Sequence, residues 1–219
     1  KKDLYDPSTI HYAADEMLNV CKKGPIYEPK FIFYKTKNWK NIDKESQKSF
    51  DFFIKTFSKN IEVFDTPSYF DDIPKYHKII HETDMANNFQ GYYKKSKKFL
   101  SKEMVSAIER GLKYSAKEYA EAIDFMKRSY ESYKEVFEDF HGVLTPSSSG
   151  VAPKGLKSTG SPEFSTIWTY MGLPSISLPL LIGANNLPLG IQLVGDKLDD
   201  LRFLGVANWL EKNCKKYAK

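Results

Sequence analysis

The sequence contains no apolar run near the roughly 18 residues that a membrane-spanning helix needs. Its opening, Lys1-Lys2-Asp3-Leu4, has no hydrophobic stretch behind it of the kind that marks a secretory leader. Cysteine is scarce. Cys21 and Cys214 lie near opposite ends with no CxxC spacing, which excludes a disulfide framework and a cysteine-based metal knuckle. Free thiols in a reducing, cytoplasmic setting are expected. Arginine is almost missing too, occurring only at Arg110, Arg128 and Arg202, although Lys+Arg total 33 against 28 acids, for a net charge of +5. A nucleic-acid reader usually concentrates its charge in a stripe and uses forked arginine contacts. Here the lysines alternate with acids along predicted helices, as on a solvated surface, so nucleic acid is not expected as a partner, and with no apolar span neither is a membrane.

What is present is core material. With 219 residues, 41% hydrophobic and 15% aromatic, the chain can build a packed globular core. Asp6-Pro7-Ser8-Thr9 offers a cap for a first helix within Asp3 to Asn19, with Ile10, Ala13, Ala14, Met17 and Leu18 at helical spacing. Phe31 to Tyr34 and Ile61 to Phe64 read as strands. Between them, Gln47 to Lys59 places Phe50, Phe53, Ile54 and Phe57 on one helical face. Strand, helix, strand at these lengths predicts a βαβ unit with a parallel pair.

The middle of the chain is predicted helical: a long helix from Ile73 to about Lys98, a second capped by Ser101, and a third from Ser115 to Phe140. The stripe of that third helix comprises Tyr119, Ala122, Phe125, Met126, Tyr130, Tyr133 and Phe137. The composition then turns to proline and glycine. Short strands are predicted at Val143-Leu144, Ile176 to Leu178 and Leu189 to Val194, with a loop over Pro146 to Ser161 of a length that is usually functional or mobile. An amphipathic helix over Leu201 to Lys212 closes the pattern. The fold class is α/β, a mixed β-sheet flanked by helices.

Gly172-Leu173-Pro174 leads into Ser175-Ile176-Ser177-Leu178-Pro179, and after a loop comes Pro188-Leu189-Gly190-Ile191-Gln192. Upstream, Phe137-Glu138-Asp139-Phe140 leads into a segment ending Thr145-Pro146. In this order these motifs resemble the C-terminal end of amidase-signature enzymes, strongly over Phe137 to Leu210 and loosely before. Glu82 falls where that family often has a helical glutamate. The resemblance implies that residues 1–219 are the C-terminal portion of one amidase domain, whose fold hydrolyses carboxamides with a serine, a second serine in a cis peptide and a lysine, without cofactor or metal. No segment matches that Gly/Ser-rich catalytic core, so the catalytic residues are expected outside this chain and the isolated chain is expected to be inactive. The Thr-Phe-Ala-Leu-Ser segment usual in the glutamyl-tRNA amidotransferase A subunit is not reproduced at Leu112 to Ser115, which favours a general amidase.

Physical reasoning agrees at two glycines, Gly172 and Gly190, which suit a turn or a close backbone approach, while Pro174 and Pro179 are expected to bracket a strand. Ser147-Ser148-Ser149 could present a nucleophile, but a serine needs an adjacent base to react near neutral pH, and only Lys154 and Lys157 lie near in sequence. His77 and His81 have the i, i+4 spacing of a cation pair without an evident third ligand. His141 stands where the family commonly has an acid. The resemblance places Ser165, Ile167 and Trp168 beside the acyl side of the substrate, and a tryptophan ahead of a buried strand is equally a core residue. The rival reading is a non-catalytic module that docks to a partner chain or self-associates through an exposed sheet face.

Overall fold

The computed structural model describes Asp3, Tyr5 and residues 17–214. Most of the predicted first helix, including its Asp6-Pro7-Ser8-Thr9 cap, lies outside the described residues. Within them helix α1 spans Met17–Lys23. Strand β1 (Phe31–Lys35), helix α2 (Lys44–Thr56) and strand β2 (Ile61–Asp65) then form the predicted βαβ unit, with β1 and β2 parallel and Phe33 opposite Val63. Asp43 caps α2 by accepting from the amides of Glu45 and Ser46.

A helical arm follows. Helix α3 spans Ile73–Ser96 and begins with Pro74 in its first turn, where a missing N–H costs nothing. Helix α4 spans Lys102–Gly111 and is capped by Ser101, as the sequence predicts. Helix α5 spans Ala116–Glu131 and opens with a capping box, in which Ser115 and Glu118 satisfy each other's backbone amides. The helix predicted to continue to Phe140 breaks here. Ser132 ends α5, a turn follows, and helix α6 covers only Val136–Asp139. The tight turn, with the Tyr133 amide bonding to the Tyr130 carbonyl, keeps Tyr133 and Phe137 on the buried side, so the apolar stripe continues where the helix does not.

Strand β3 (Gly142–Pro146), helix α7 (Thr166–Met171), strand β4 (Ser175–Ile182), strand β5 (Pro188–Val194) and helix α8 (Asp200–Cys214) complete the fold. The five strands form one sheet in the order β2-β1-β3-β5-β4. β1 is parallel to both neighbours, whereas β5 runs antiparallel to β3 and β4, so the sheet is mixed. Pro179 does not end its strand. β4 runs on to Ile182 with its register shifted between Leu178 and Leu181, and it tolerates proline because it is an outermost strand with an irregularity at that place.

Both faces of the sheet are covered, which explains why Phe31-Ile32-Phe33-Tyr34 is buried throughout rather than alternating with polar residues. The odd positions Phe31 and Phe33 join Leu144, Ile191 and Leu193 beneath Phe50 and Phe53 of α2 and Phe203, Val206 and Leu210 of α8. The even positions Ile32 and Tyr34 join Val143 and Val194 on the other face, against Phe70, Ile73, Tyr133, Phe137 and residues of α7. Cys21 and Cys214 are both free, and burial pushes the Cys214 thiol up to about 12. None of the described helices is long and apolar enough to cross a membrane.

One buried charge links α3 to α4 in this arm. Glu82 of α3 is 3% exposed, and its carboxylate accepts from Arg110 Nε (2.8 Å) and Nη2 (2.6 Å) and from the Tyr114 hydroxyl (3.3 Å). Gly111 sits opposite, where a Cβ would come within 1.9 Å of the Glu82 carbonyl oxygen. The two helices can approach this closely only because α4 ends in glycine.

Candidate functional site

In open α/β sheets ligands bind beyond the carboxyl ends of parallel strands, where the following loops diverge. Here those ends are Lys35 of β1, Asp65 of β2 and Pro146 of β3, and the loops after β1 and β3 meet. After β1 the chain makes a single 3-10 turn, Lys37–Asn41, before α2. After β3 it enters the serine segment and the long loop that leads to α7. A clasp joins the two loops: Asn41 Nδ2 donates to the Glu163 carboxylate at 2.7 Å and Asn38 Nδ2 to the Glu163 carbonyl at 3.3 Å. Phe164, one residue on, is buried against the first core and anchors the loop from below.

The serine segment is docked, not free. The Ser149 carbonyl accepts from the Asp43 amide at 3.1 Å, and Ser148 Oγ donates to the Gly150 carbonyl at 2.6 Å. Gly150 lies over Asp43, whose Oδ2 would be 2.3 Å from a Cβ there. Burial raises the Asp43 pKa, but the hydroxyl and amide of Ser46 and the amide of Glu45 outweigh it, and the net direction is downward. Asp43 is therefore a carboxylate committed to its helix cap and not a base for Ser147.

Ser147 instead pairs with a serine two strands away. Its hydroxyl lies 2.7 Å from that of Ser177 on β4, across β5 at Gly190. A Cβ on Gly190 would be 2.6 Å from Ser177 Oγ and 2.7 Å from Ser147 Oγ, so the glycine is what lets the two hydroxyls meet. Beneath them the buried Thr145 Oγ1 and Gln192 Oε1 lie 3.4 Å apart. Among the described residues, no lysine or histidine bonds to Ser147, Ser148 or Ser149, and Lys154 and Lys157 are exposed. Among the described residues, the cluster therefore has no partner to deprotonate a nucleophile.

Of the residues expected beside a substrate, Ser165 is half-buried at the start of α7, while Ile167 and Trp168 point into the second core. Trp168 is fully buried, stacked 6.4 Å from Tyr34 and edge-on to Phe70 at 5.9 Å. Helix α7 itself is not predicted from the sequence. Its signal was Gly172, which adopts φ 69° and closes the helix in the left-handed conformation. Sequence reasoning also passes over Ser177 and the Asn38/Asn41 to Glu163 clasp, whose members are remote in sequence.

The histidines have local roles. His77 and His81 lie parallel with ring centroids 5.6 Å apart, and burial, then the neighbouring His81, lowers the His77 pKa. Among the described residues, no group of three or more His, Cys, Asp or Glu side chains could hold a metal ion. His141 serves the backbone on both sides of the ring. Its Nδ1 accepts from the Lys30 amide at 3.1 Å, its amide donates to the Lys30 carbonyl at 2.8 Å, and its ring lies 4.4 Å from that of Tyr27. The imidazole thus completes the pairing just ahead of β1 and β3, which a carboxylate could do only without the ring contact.

A mixed sheet with these helices, ending in a docked loop and a Gly-Leu-Pro turn, defines the class. The sequence model of the Amidase family matches residues 30–204, and the chain belongs to that family. Among its relatives it is 33% identical over 101 residues to the glutamyl-tRNA(Gln) amidotransferase A subunit from Alkaliphilus metalliredigens, covering 43% of this chain and 21% of that protein. It is also 33% identical over 115 residues to human fatty-acid amide hydrolase 2, covering 49% and 21%. Among solved structures, 6-aminohexanoate cyclic dimer hydrolase superposes with a TM-score of 0.75 at 15% identity over 98% of this chain and 50% of that one. The glutamyl-tRNA(Gln) amidotransferase A subunit from Thermotoga maritima gives 0.71 at 20% identity over 97% and 48%. The fold is that of amidase-signature enzymes. This chain spans about half the length of those solved structures, and its matches cover about a fifth of the curated relatives.

Proposed function

We propose that this chain forms the substrate-side half of an enzyme that hydrolyses carboxamides to an acid and ammonia or an amine, with the serine, cis-serine and lysine that perform the chemistry supplied from outside residues 1–219. The observation that carries this reading is the pairing of family membership with a serine cluster that lacks a base. In this reading Ser165 meets the acyl portion of a small amide substrate, and Ile167 and Trp168 form the firm wall behind it. The clasp between Asn41 and Glu163 holds the loop that leads to α7. In this reading water is the second substrate, and the serine–lysine chemistry calls for no cofactor.

The test is ammonia release by the purified chain from glutamine and from aliphatic and aryl carboxamides, beside a Ser147/Ser148/Ser149→Ala variant. The expected result is no turnover by either protein. Turnover that the triple substitution abolishes would place the active centre inside this chain and overturn the reading. A docking module is the second reading, and one feature favours it: Val63 and Phe64 on the outermost strand β2 are each 46% exposed. A concentration-dependent increase in mass by light scattering, lost in Phe64→Ser, would support self-association.

A further inference from the structure

The tip of the helical arm differs from the rest of the surface. Between residues 94 and 103 the sequence holds five lysines against one glutamate, and no arginine. The structure brings these lysines to the turn between α3 and α4, where all of them are exposed. Lys97 is neutralised by Glu109 at 2.8 Å, but Lys94, Lys95, Lys98 and Lys102 have no acid within ion-pair distance among the described residues. Large apolar side chains stand among them. Phe99, in the 3-10 turn Lys97–Phe99, is 79% exposed, and Tyr92 is 63% exposed with Phe89 6.3 Å away. Lys98 Nζ lies 5.0 Å from the centre of the Phe99 ring, so charge and apolar surface share one spot.

Exposed aromatic rings cost solvation unless something removes them from water. A basic patch around an aromatic tip has the chemistry of the membrane–water interface: the ring enters the headgroup boundary and the ammonium groups face anionic lipid. Lysine without arginine suits that diffuse attraction better than the forked, phosphate-by-phosphate contacts of a nucleic-acid reader. We infer that the tip of the α3–α4 hairpin, through Phe99, Tyr92 and the lysines beside them, docks peripherally on an anionic lipid surface. No spanning segment is required, so the lack of a long apolar run does not bear on this contact. The inference is independent of amide hydrolysis.

The test is sedimentation of the purified chain with large vesicles of phosphatidylcholine alone, or with one third phosphatidylserine, at low and at high salt. Binding is expected only to the serine-lipid vesicles and is expected to weaken as salt shortens the range of the charges. Each lysine near the surface contributes about a fivefold gain in affinity, so Lys95→Gln with Lys98→Gln should weaken binding about 25-fold. Phe99→Ser should weaken it about tenfold, as for loss of one inserted ring. All these side chains are exposed, so an unchanged thermal unfolding curve will show that the variants are folded. Equal binding to both vesicle types, no binding by the unaltered chain, or undiminished binding by the lysine variant would each overturn the inference. Tighter binding of a structured RNA, with Phe99→Ser without effect on it, would also overturn it and make the patch a nucleic-acid surface.

Discussion

The sheet block and the helical arm are built on different principles. In the block, strands β1, β3 and β5 are buried from both sides, and the fit of aromatic rings such as Trp168, Tyr133 and Phe70 holds α7 in place. The arm makes its closest contact through a single carboxylate, Glu82, and the absence of one Cβ at Gly111. The block also carries the motifs that mark the family, while the arm carries the exposed, charged tip. The aromatic packing fixes the position of α7, whereas the helices of the arm are joined by side-chain polar contacts as well: Glu82 with Arg110 and Tyr114, Glu109 with Tyr93 and Lys97, and Asp84 with Tyr119.

The sharpest way to break this contrast is Trp168→Ala. Removing a fully buried indole leaves a cavity in the second core, and the expected loss is about 4 kcal/mol in urea unfolding. The block and arm should then unfold at lower denaturant together, since α7 touches both. A loss below about 1 kcal/mol would show that the aromatic cluster does not organise the block. Gly111→Ala comes next, at about 3 kcal/mol, because the new methyl meets backbone and not a movable side chain. Hydrogen exchange should quicken in α3 and α4 and stay slow in β3 and β5, and uniform quickening would refute the separation of the two regions.

The smallest effect is a matter of pH. Burial, then the charge of Arg202, lowers the His141 pKa from its usual 6.5, and His77 is lowered too. The folded state therefore favours the neutral imidazoles. The stability this confers is complete above the unfolded value near 6.5 and is lost as pH falls through the lower folded values. Protonation of Nδ1 would also remove the acceptor for the Lys30 amide. Unfolding measured between about pH 7.5 and 5 should show a shallow fall in stability, made shallower by His141→Gln. A fall that steepens in that variant would mean the histidine is held charged.

Local signals account for what the sequence disclosed. All five strands were legible because each is an apolar run bounded by proline, glycine or polar residues, and the βαβ unit followed from the length of the segment between β1 and β2. Ser101 and Ser115 were legible as helix starts because a serine ahead of a helically spaced apolar run can cap the first turn. What failed depended on context. Pro179 reads as a strand end unless one knows that β4 is outermost, and the break after Glu131 is invisible because Tyr130, Tyr133 and Phe137 keep helical spacing through a turn. Helix α7 is too short to display a period. At the candidate site, the meaning of Gly190 as a place of close approach was readable, but its partners Ser147 and Ser177 were not, because only the sheet register brings them together. The Glu163 clasp spans 122 residues in sequence to Asn41, and no local pattern could disclose it.

The irregularity at Pro179 has a consequence for how this protein behaves at high concentration. Fibrils grow when a flat strand offers an unbroken row of amide donors to an incoming copy. On β4 the proline has no donor to offer and the shift between Leu178 and Leu181 bends the row. At the opposite rim β2 carries Glu62 and Asp65 among its exposed residues. Each rim of the described sheet thus resists templating by its own means.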